Sequence, residues 1–483
     1  MVSSKERTTL PLRIQWLLSA VSTVLVLLCL SSSTAFAACH AVTPTGSGTK
    51  TGADWNNALA WPLSFVRGDV YYLADGTYAA LDFKVSGTAT VEIRKAQSYD
   101  NGSSCSPSIA AGWNASTMGV GQAVFNTLYY GHQFYLESPG LLINGNGQQT
   151  TPGCGGAVGN NPAIAPAAPT DCGIKIDNSS QNTTDLISGP TGAASFTAKY
   201  VEIFGSGQAT YENYLIRADN STGTTLTHMY IHRFGAVCAV VGGASNFTFT
   251  YNYMFRNQTT PGSNPSHGQC LQSFGDGGNF EVSRNVFRDL GGTAIMMAWV
   301  GSGSVQSGPY RFYDNVIWNT PGYTPAYPSA NGLLACINGF TCNNVTMSNN
   351  TIAGAPGQNA IDSETGGTYT VQNNIWYSSS GIADPNPHGT FTEDHNSYLV
   401  SGTGCPTGTA NVCDNAASNP FANWAGGDFT LASDLSDWNN RLELGSPYSM
   451  DAAGIAFTTD RGAYQNVAFG GPVPPTGLAA LVQ

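Results

Sequence analysis

Charge is the scarcest feature of this sequence. Asp, Glu, Lys and Arg make up 10% of 483 residues, with 18 basic against 30 acidic side chains and a formal net charge of −12. No basic patch appears, which argues against a nucleic-acid partner. An acidic chain can still hold an anionic polymer, but only through a local cluster of Arg, His or a bound cation. Low charge combined with regular apolar patterning also argues against disorder. No Cys-x-x-Cys pair is present, so a zinc ribbon is not expected.

The N-terminus reads as an export signal. Lys5, Arg7 and Arg13 precede the apolar run 16–30, and Ala35-Phe36-Ala37 offers a small-residue cleavage site after Ala37. The alternatives are an uncleaved anchor and, from Phe36-Ala37-Ala38-Cys39, a lipoprotein; Phe36 is a poor fit to the aliphatic residue a lipobox needs. Of 11 Cys, Cys29 leaves with the signal and an even number remains. Short spacings inside loops suggest Cys154 with Cys172, Cys336 with Cys342 and Cys405 with Cys413, in an oxidising compartment; Cys39 with Cys105 and Cys238 with Cys270 are guesses that no short spacing supports.

One phrase recurs between residues 224 and 376: TTLTHMYI (224–231), FTFTYNYM (247–254), FEVSRNVF (280–287), YRFYDNVI (310–317), VTMSNNTI (345–352) and YTVQNNIW (369–376). Positions one, three and eight of each copy can be buried. Position six is Asn252, Asn285, Asn315, Asn350 or Asn374, with Met229 the exception. The copies lie 23, 33, 30, 35 and 24 residues apart, the mark of a stacked array with loops of varying length. Alternating apolar, β-branched and aromatic residues before a polar break make the unit β. The Asn suits the left-handed bend such a break needs, and stacked Asn amides can bond one another along the array.

In chain order, residues 38–53 are expected to be irregular, and Asp54-Trp55-Asn56-Asn57-Ala58-Leu59 to form a short helix capping the array's open edge. GDVYYLADGTYAALDF (68–83) and SGTATVEIRKA (86–96) read as the first strands. Here the sequence resembles the right-handed parallel β-helix proteins of the pectate-lyase-like superfamily. The likeness extends through the Asn-bearing copies to DFTL (428–431), GSPYSMDAAG (445–454) and DRGAYQN (460–466), over about residues 60–466. It implies an all-β fold, a right-handed parallel β-helix with a short N-terminal helical cap and a C-terminal cap. The expected organisation is a signal peptide at 1–37, a cap segment at 38–63, the β-helix at 64–400, a terminal coil and cap at 401–469, and a Pro-rich tail at 470–483.

A β-helix does its chemistry on its outside. Position five of the copies gives His228, Tyr251, Arg284, Asp314, Asn349 and Asn373; position seven begins Tyr230, Tyr253; the residue after each copy gives His232, Phe255, Arg288, Trp318. His228, His232, Tyr230, Tyr253 and Trp318 are therefore expected to contact a ligand, because aromatic faces stack on sugars and Arg forks a carboxylate. The opposing reading has these rings packed beneath loops. A second strand follows each copy, with Leu271, Ile295, Leu334 and Ile361 inward and Gln272, Met296, Ala335 and Asp362 outward. In related β-helix enzymes the groove lies over such a strand, which adds Gln272 to the expected ligand contacts.

A lyase acting on a uronate polymer needs a cation to neutralise the carboxylate, a base for the adjacent C–H, and an acid for the leaving oxygen. His267 is the expected base, with Arg288 or Arg284 as the clamp. Calcium held by Asp276, Asp362 and Glu364 is the alternative clamp, although their spacing matches no calcium-loop signature. Three family motifs are missing: the polygalacturonase set of three Asp with Gly-His-Gly and Arg-x-Lys, the Arg-x-Pro-x-x-Arg of one lyase family, and the Asp-Pro-His of alginate epimerases, which DPNPHG (384–389) matches only in part. The resemblance thus implies fold and assigns no catalytic residue. Three functions are carried forward: a polysaccharide lyase on an acidic polymer, a glycoside hydrolase, and a non-catalytic glycan-binding adhesin. All are expected to be secreted and monomeric, off the membrane after signal cleavage, with a polysaccharide as partner.

Overall fold

The structure, a computed structural model, describes residues 37–148 and, from 154 to 463, the coil strands with their tight turns; segments outside it include 1–36, 155–171, 256–268, 324–332, 378–388 and 464–483. Three long parallel sheets, of 14, 12 and 9 strands among the described residues, are each built from strands one coil apart in sequence. Each turn of chain visits sheet one, then sheet two, then sheet three, as in Ser245–Thr250, Tyr253–Phe255 and Leu271–Phe274 before the next turn begins at Gly278–Ser283. This is a right-handed parallel β-helix.

Each repeated phrase is one sheet-one strand, a tight corner and one sheet-two strand. Its first, third and eighth residues point inward, and all are buried: Phe247, Phe249 and Met254 in one copy, Phe280, Val282 and Phe287 in the next. The register is unbroken there, Phe249 against Val282 and Met254 against Phe287, so like stacks on like. Sheet three closes the core with Leu271, Ile295, Leu334 and Ile361 in one inward row.

The corner works differently from expectation. The left-handed residue is position five, with φ of 50° at His228, 55° at Tyr251 and Arg284, and 56° at Asp314 and Asn349. Position six, the Asn, is buried and forms the ladder. The Oδ1 of Asn315 accepts from the backbone N (3.1 Å) and Nδ2 (3.0 Å) of Asn285, and Asn315 passes the same pair of bonds to Asn350. Each Nδ2 also reaches back to a main-chain oxygen of the preceding coil, such as Val282 O from Asn315. Position five turns the chain, and position six satisfies the amides the turn would otherwise bury unpaired. The ladder runs two rungs further, through Asn396 and Asn411. The sequence pattern missed the Asn396 copy because its third position is Glu393, which is matched by the hydroxyl of the inward Tyr398 at 2.8 Å.

At the N-terminus, Cys39–Thr43 is a strand paired with Val70–Leu73, where an irregular segment was expected. The cap helix is a single 3-10 turn, Trp55–Asn57, with the Asp54 carboxylate accepting from Asn57 N. Among the described residues, four disulfides join Cys39–Cys105, Cys154–Cys172, Cys238–Cys270 and Cys336–Cys342; Cys405, the expected partner of Cys413, lies outside them.

The C-terminal segment folds back along the flank of the helix. The antiparallel hairpin of Phe421–Asn423 and Asp428–Leu431 lies on the outer face of sheet two, where Phe429 meets Trp318 edge-on at 5.7 Å. The Arg461 guanidinium is inserted under the last coils, donating to the main-chain oxygens of Asn396 and Ala410, both at 2.9 Å. Tyr448 packs on Tyr313, and its carbonyl accepts from Asn349 and Arg441. The cap motifs are thus side buttresses, which decides which outer faces remain accessible.

Candidate functional site

The residues singled out from the sequence fall on three separate surfaces. The first is the corner column, where the left-handed residues stack. The His228 ring lies 4.9 Å from Tyr200 and 4.8 Å from Tyr251, nearly parallel to the latter, and the Arg284 guanidinium lies over Tyr251 at 5.4 Å. Burial pushes the His228 imidazole down to about 4, so it is neutral at physiological pH. Arg284 sits 3.5 Å from Asp314, which is fully buried and also accepts from Asn349 Nδ2 at 3.1 Å. Arg284 therefore has an internal partner and serves the corner.

The second surface is the outer face of sheet two. His232 Nε2 is 2.9 Å from Glu202 Oε1, whose other oxygen accepts from Gln122, and the His232 ring stacks on Tyr230 at 4.0 Å. Burial holds His232 below its usual range against the pull of Glu202. Arg288 is clamped between Phe255 (4.3 Å) and Trp318 (4.5 Å), with Nε 3.3 Å from Asp289. Asp289 in turn accepts from the Thr320 amide and hydroxyl. Tyr253 and Trp318 are completely covered, and His232 and Tyr230 nearly so. The expectation that Tyr253 and Trp318 meet a ligand is corrected: the alternation placed them outward, but Trp318 is roofed by Phe429 of the returning C-terminal hairpin, and Tyr253 is buried against Arg288 and Tyr230.

The third surface is the outer face of sheet three. Its register gives one outward column: Asp82, Tyr135, Ser188, Arg217, Val240 and Gln272, continuing through the positions of Met296, Ala335 and Asp362. Gln272 is outward as expected but mostly covered. His267, Asp276 and Glu364 lie outside the described residues, as does the side chain of Asp362. Among the described residues, no group of three or more His, Cys, Asp or Glu side chains is placed to hold a metal.

The N-terminal half of this third face carries a constellation that the repeat-centred reading passed over. His132, just before Phe134–Leu136, places Nδ1 2.8 Å from the main-chain oxygen of Asp185. A carbonyl only accepts, so Nδ1 carries a proton, and in the neutral ring the lone pair is on Nε2. The ring is held flat on Tyr135 (5.3 Å, 10°). Two coils on, Arg217 is 45% exposed, against 16% for Arg284 and 18% for Arg288. Its Nε is 2.6 Å from Asp219 and its Nη1 3.9 Å from Asp185. Burial raises the Asp185 carboxyl despite the neighbouring guanidinium. Tyr214 pairs with Asp185 in register, and Tyr129 and the exposed Tyr130 continue the ring surface around Tyr135. The strands that carry Asp185 and Arg217, Asp185–Ser188 and Tyr214–Arg217, pair in register, but their spacing is set by loops that no sequence pattern fixes.

No protein-family model and no curated protein sequence matches this chain. Among solved structures it is similar to a tailspike protein, gp49, of the Acinetobacter baumannii bacteriophage Fri1, a capsular polysaccharide depolymerase, at 12% identity and a TM-score of 0.33, over 73% of this chain and 57% of that one. It is also similar to a mannuronic acid specific polysaccharide family 6 lyase from human gut microbiota, at 12% identity and a TM-score of 0.32, over 78% and 83% of the two chains. A third likeness is to DFA-IIIase from Arthrobacter chlorophenolicus A6 without its lid, at 12% identity and a TM-score of 0.24, over 73% and 89%. The chain thus spans little more than half the length of the tailspike. The fold itself rests on the strand register: the chain is a right-handed parallel β-helix protein.

Proposed function

We propose that this protein is a secreted, carbohydrate-active β-helix enzyme that cleaves an acidic polysaccharide by β-elimination on the outer face of sheet three. The observation that carries the proposal is the convergence on Asp185 of a tautomer-fixed His132, held by its main-chain oxygen, and an exposed Arg217, whose Nη1 lies 3.9 Å from its carboxylate. Arg217 has terminal N–H groups to offer a uronate carboxylate, which acidifies the adjacent C–H. His132 Nε2 removes that proton, the C–O bond to the next sugar breaks, and the Tyr135 hydroxyl supplies a proton to the departing oxygen. The ring surface of Tyr129, Tyr130 and Tyr135 is suited to stack on sugar faces. Export is supported by the N-terminal signal pattern and by disulfides tying four pairs of described cysteines.

His267 stays a competing base, and a calcium ion on Asp276, Asp362 and Glu364 a competing clamp. The deciding experiment incubates the mature protein and its His132→Ala and His267→Ala variants with a panel of uronate polymers, with and without calcium or a chelator. Ultraviolet absorbance from the unsaturated sugar end, lost in His132→Ala and kept in His267→Ala, supports this assignment. The reverse pattern moves the base to His267.

A glycoside hydrolase is the second reading, favoured by one observation: Asp185, with its raised carboxyl, and Asp219 touch the same guanidinium. That keeps them within the reach of roughly 5–9.5 Å that paired carboxylates use. New reducing ends without absorbance would establish it. Retention on a glycan column with neither product would mean an adhesin.

A further inference from the structure

At the N-terminal edge of sheet three a cavity of about 370 Å³ opens beside the strand Leu81–Phe83, lined by Trp61, Phe65, Asp82, Thr127, Leu128 and Tyr129. That volume lies at the small end of the range for ligand pockets, about 300–1,000 Å³. Asp82 heads the same outward column that passes through Tyr135 and Ser188 to Arg217. Three coil steps, roughly 14 Å at about 4.8 Å each, separate cavity from clamp.

The walls have a definite chemistry. Trp61 is tightly held, its indole N–H donating to Ala79 O at 2.9 Å and its rings edge-on to Phe65 and Tyr78. It therefore offers a fixed apolar surface. Tyr129 and Leu128 are over a third exposed at the rim. The Tyr129 hydroxyl faces the Asp82 carboxylate. Asp82 Oδ1 is buried and has no hydrogen-bond partner among the described residues. Lys84, the nearest basic residue in sequence, is committed to Glu137 at 2.8 Å. A buried acceptor in an aromatic pocket calls for a ligand that stacks and donates hydroxyl hydrogens, and it repels a second carboxylate.

We propose that this cavity is a subsite for a neutral sugar ring, so that the polymer acted on carries neutral residues as well as the uronate held by Arg217. The proposal rests on the polysaccharide reading above for the polymer, but the cavity's preference is measurable without turnover. The full mature protein carrying Arg217→Ala, which removes the uronate clamp, is titrated at equilibrium, by calorimetry or saturation-transfer NMR, with methyl glucoside, methyl galactoside, methyl mannoside and glucuronate. At least one neutral glycoside should bind in the millimolar range and glucuronate at least tenfold more weakly. Tyr129→Ala should weaken the neutral ligand tenfold or more, and Asp82→Asn should narrow the gap between neutral and acidic ligands. Thermal unfolding of each variant checks folding; Tyr129 lies at the rim, so its variant keeps the test alive if Asp82→Asn misfolds. No binding by any neutral glycoside, glucuronate binding as tightly as the best of them, or affinities unmoved by Tyr129→Ala would each overturn the proposal. Loss of lyase activity in the absorbance assay alone would leave this binding result standing and overturn only the reaction.

Discussion

His132 donates its Nδ1 proton to the main-chain oxygen of Asp185 at 2.8 Å, while the Asp185 side chain lies 3.9 Å from Arg217 on the next coil. One residue thus orients the proposed base and flanks the proposed clamp. The stacking of coils brings together residues 85 positions apart in sequence, a proximity that only the register of sheet three creates.

Arg217→Lys tests the clamp. Lysine keeps the charge but loses the planar fork that grips a carboxylate through two N–H groups. We expect kcat/KM on a uronate polymer to fall tenfold or more, with the larger part in KM. A variant at wild-type efficiency would remove Arg217 from the site.

The Asn ladder should dominate local stability. Asn315→Ala removes the acceptor for two N–H groups of Asn285 and leaves them buried. It also removes the side-chain donor to Val282 O and one of the two donors to Asn350 Oδ1, which keeps the Asn315 backbone N–H. Each orphaned group costs about 1–3 kcal/mol, so the loss in urea unfolding should exceed ~3 kcal/mol.

Phe287 reports on the core beneath the ladder. It is fully buried, inward-facing and ring-to-ring with Phe249. Phe287→Ala should cost roughly 3–5 kcal/mol in the same unfolding assay.

Asp314 gives a pH signature. Burial raises its carboxyl well above the ordinary 3.8, against the opposing effect of Arg284. Between the unfolded and folded values the native state binds more protons than the unfolded chain, so stability falls as pH rises through that window. The contribution is fully present below the unfolded value and lost as pH passes the folded one. Asp314→Asn should therefore be more stable than wild type at neutral pH, and the advantage should disappear as pH falls below about 4. An advantage that grew on acidification would contradict the assignment.

Much of the scaffold was legible in the repeat. Positions one, three and eight are inward because alternation has a single solution when one face must be dry. The outward row of Gln272, Met296, Ala335 and Asp362 was read in its observed register for the same reason. The bend was assigned to the wrong residue of a correct pair, since Asn suits both the left-handed turn and the ladder and composition alone does not separate them. Tyr253 and Trp318 were placed outward correctly, yet the hairpin that covers Trp318 comes from residues 421–431, over a hundred residues away and without a pattern tying it to that face, while Tyr253 is closed off by Arg288 and Tyr230. The constellation of His132, Asp185 and Arg217 lies before the regular copies, where loops of unequal length hide the register. Irregular sequence was where sequence reading was weakest and where the accessible polar groups gathered.

The most direct test of this account is the initial rate of unsaturated-uronate absorbance for wild type and His132→Ala on one uronate polymer at saturating concentration. The account predicts a fall of at least a hundredfold in kcat, the ordinary contribution of a general base, with the unfolding midpoint unchanged. A His132→Ala variant that kept the wild-type rate, or a wild-type protein that released reducing ends with no absorbance, would contradict it.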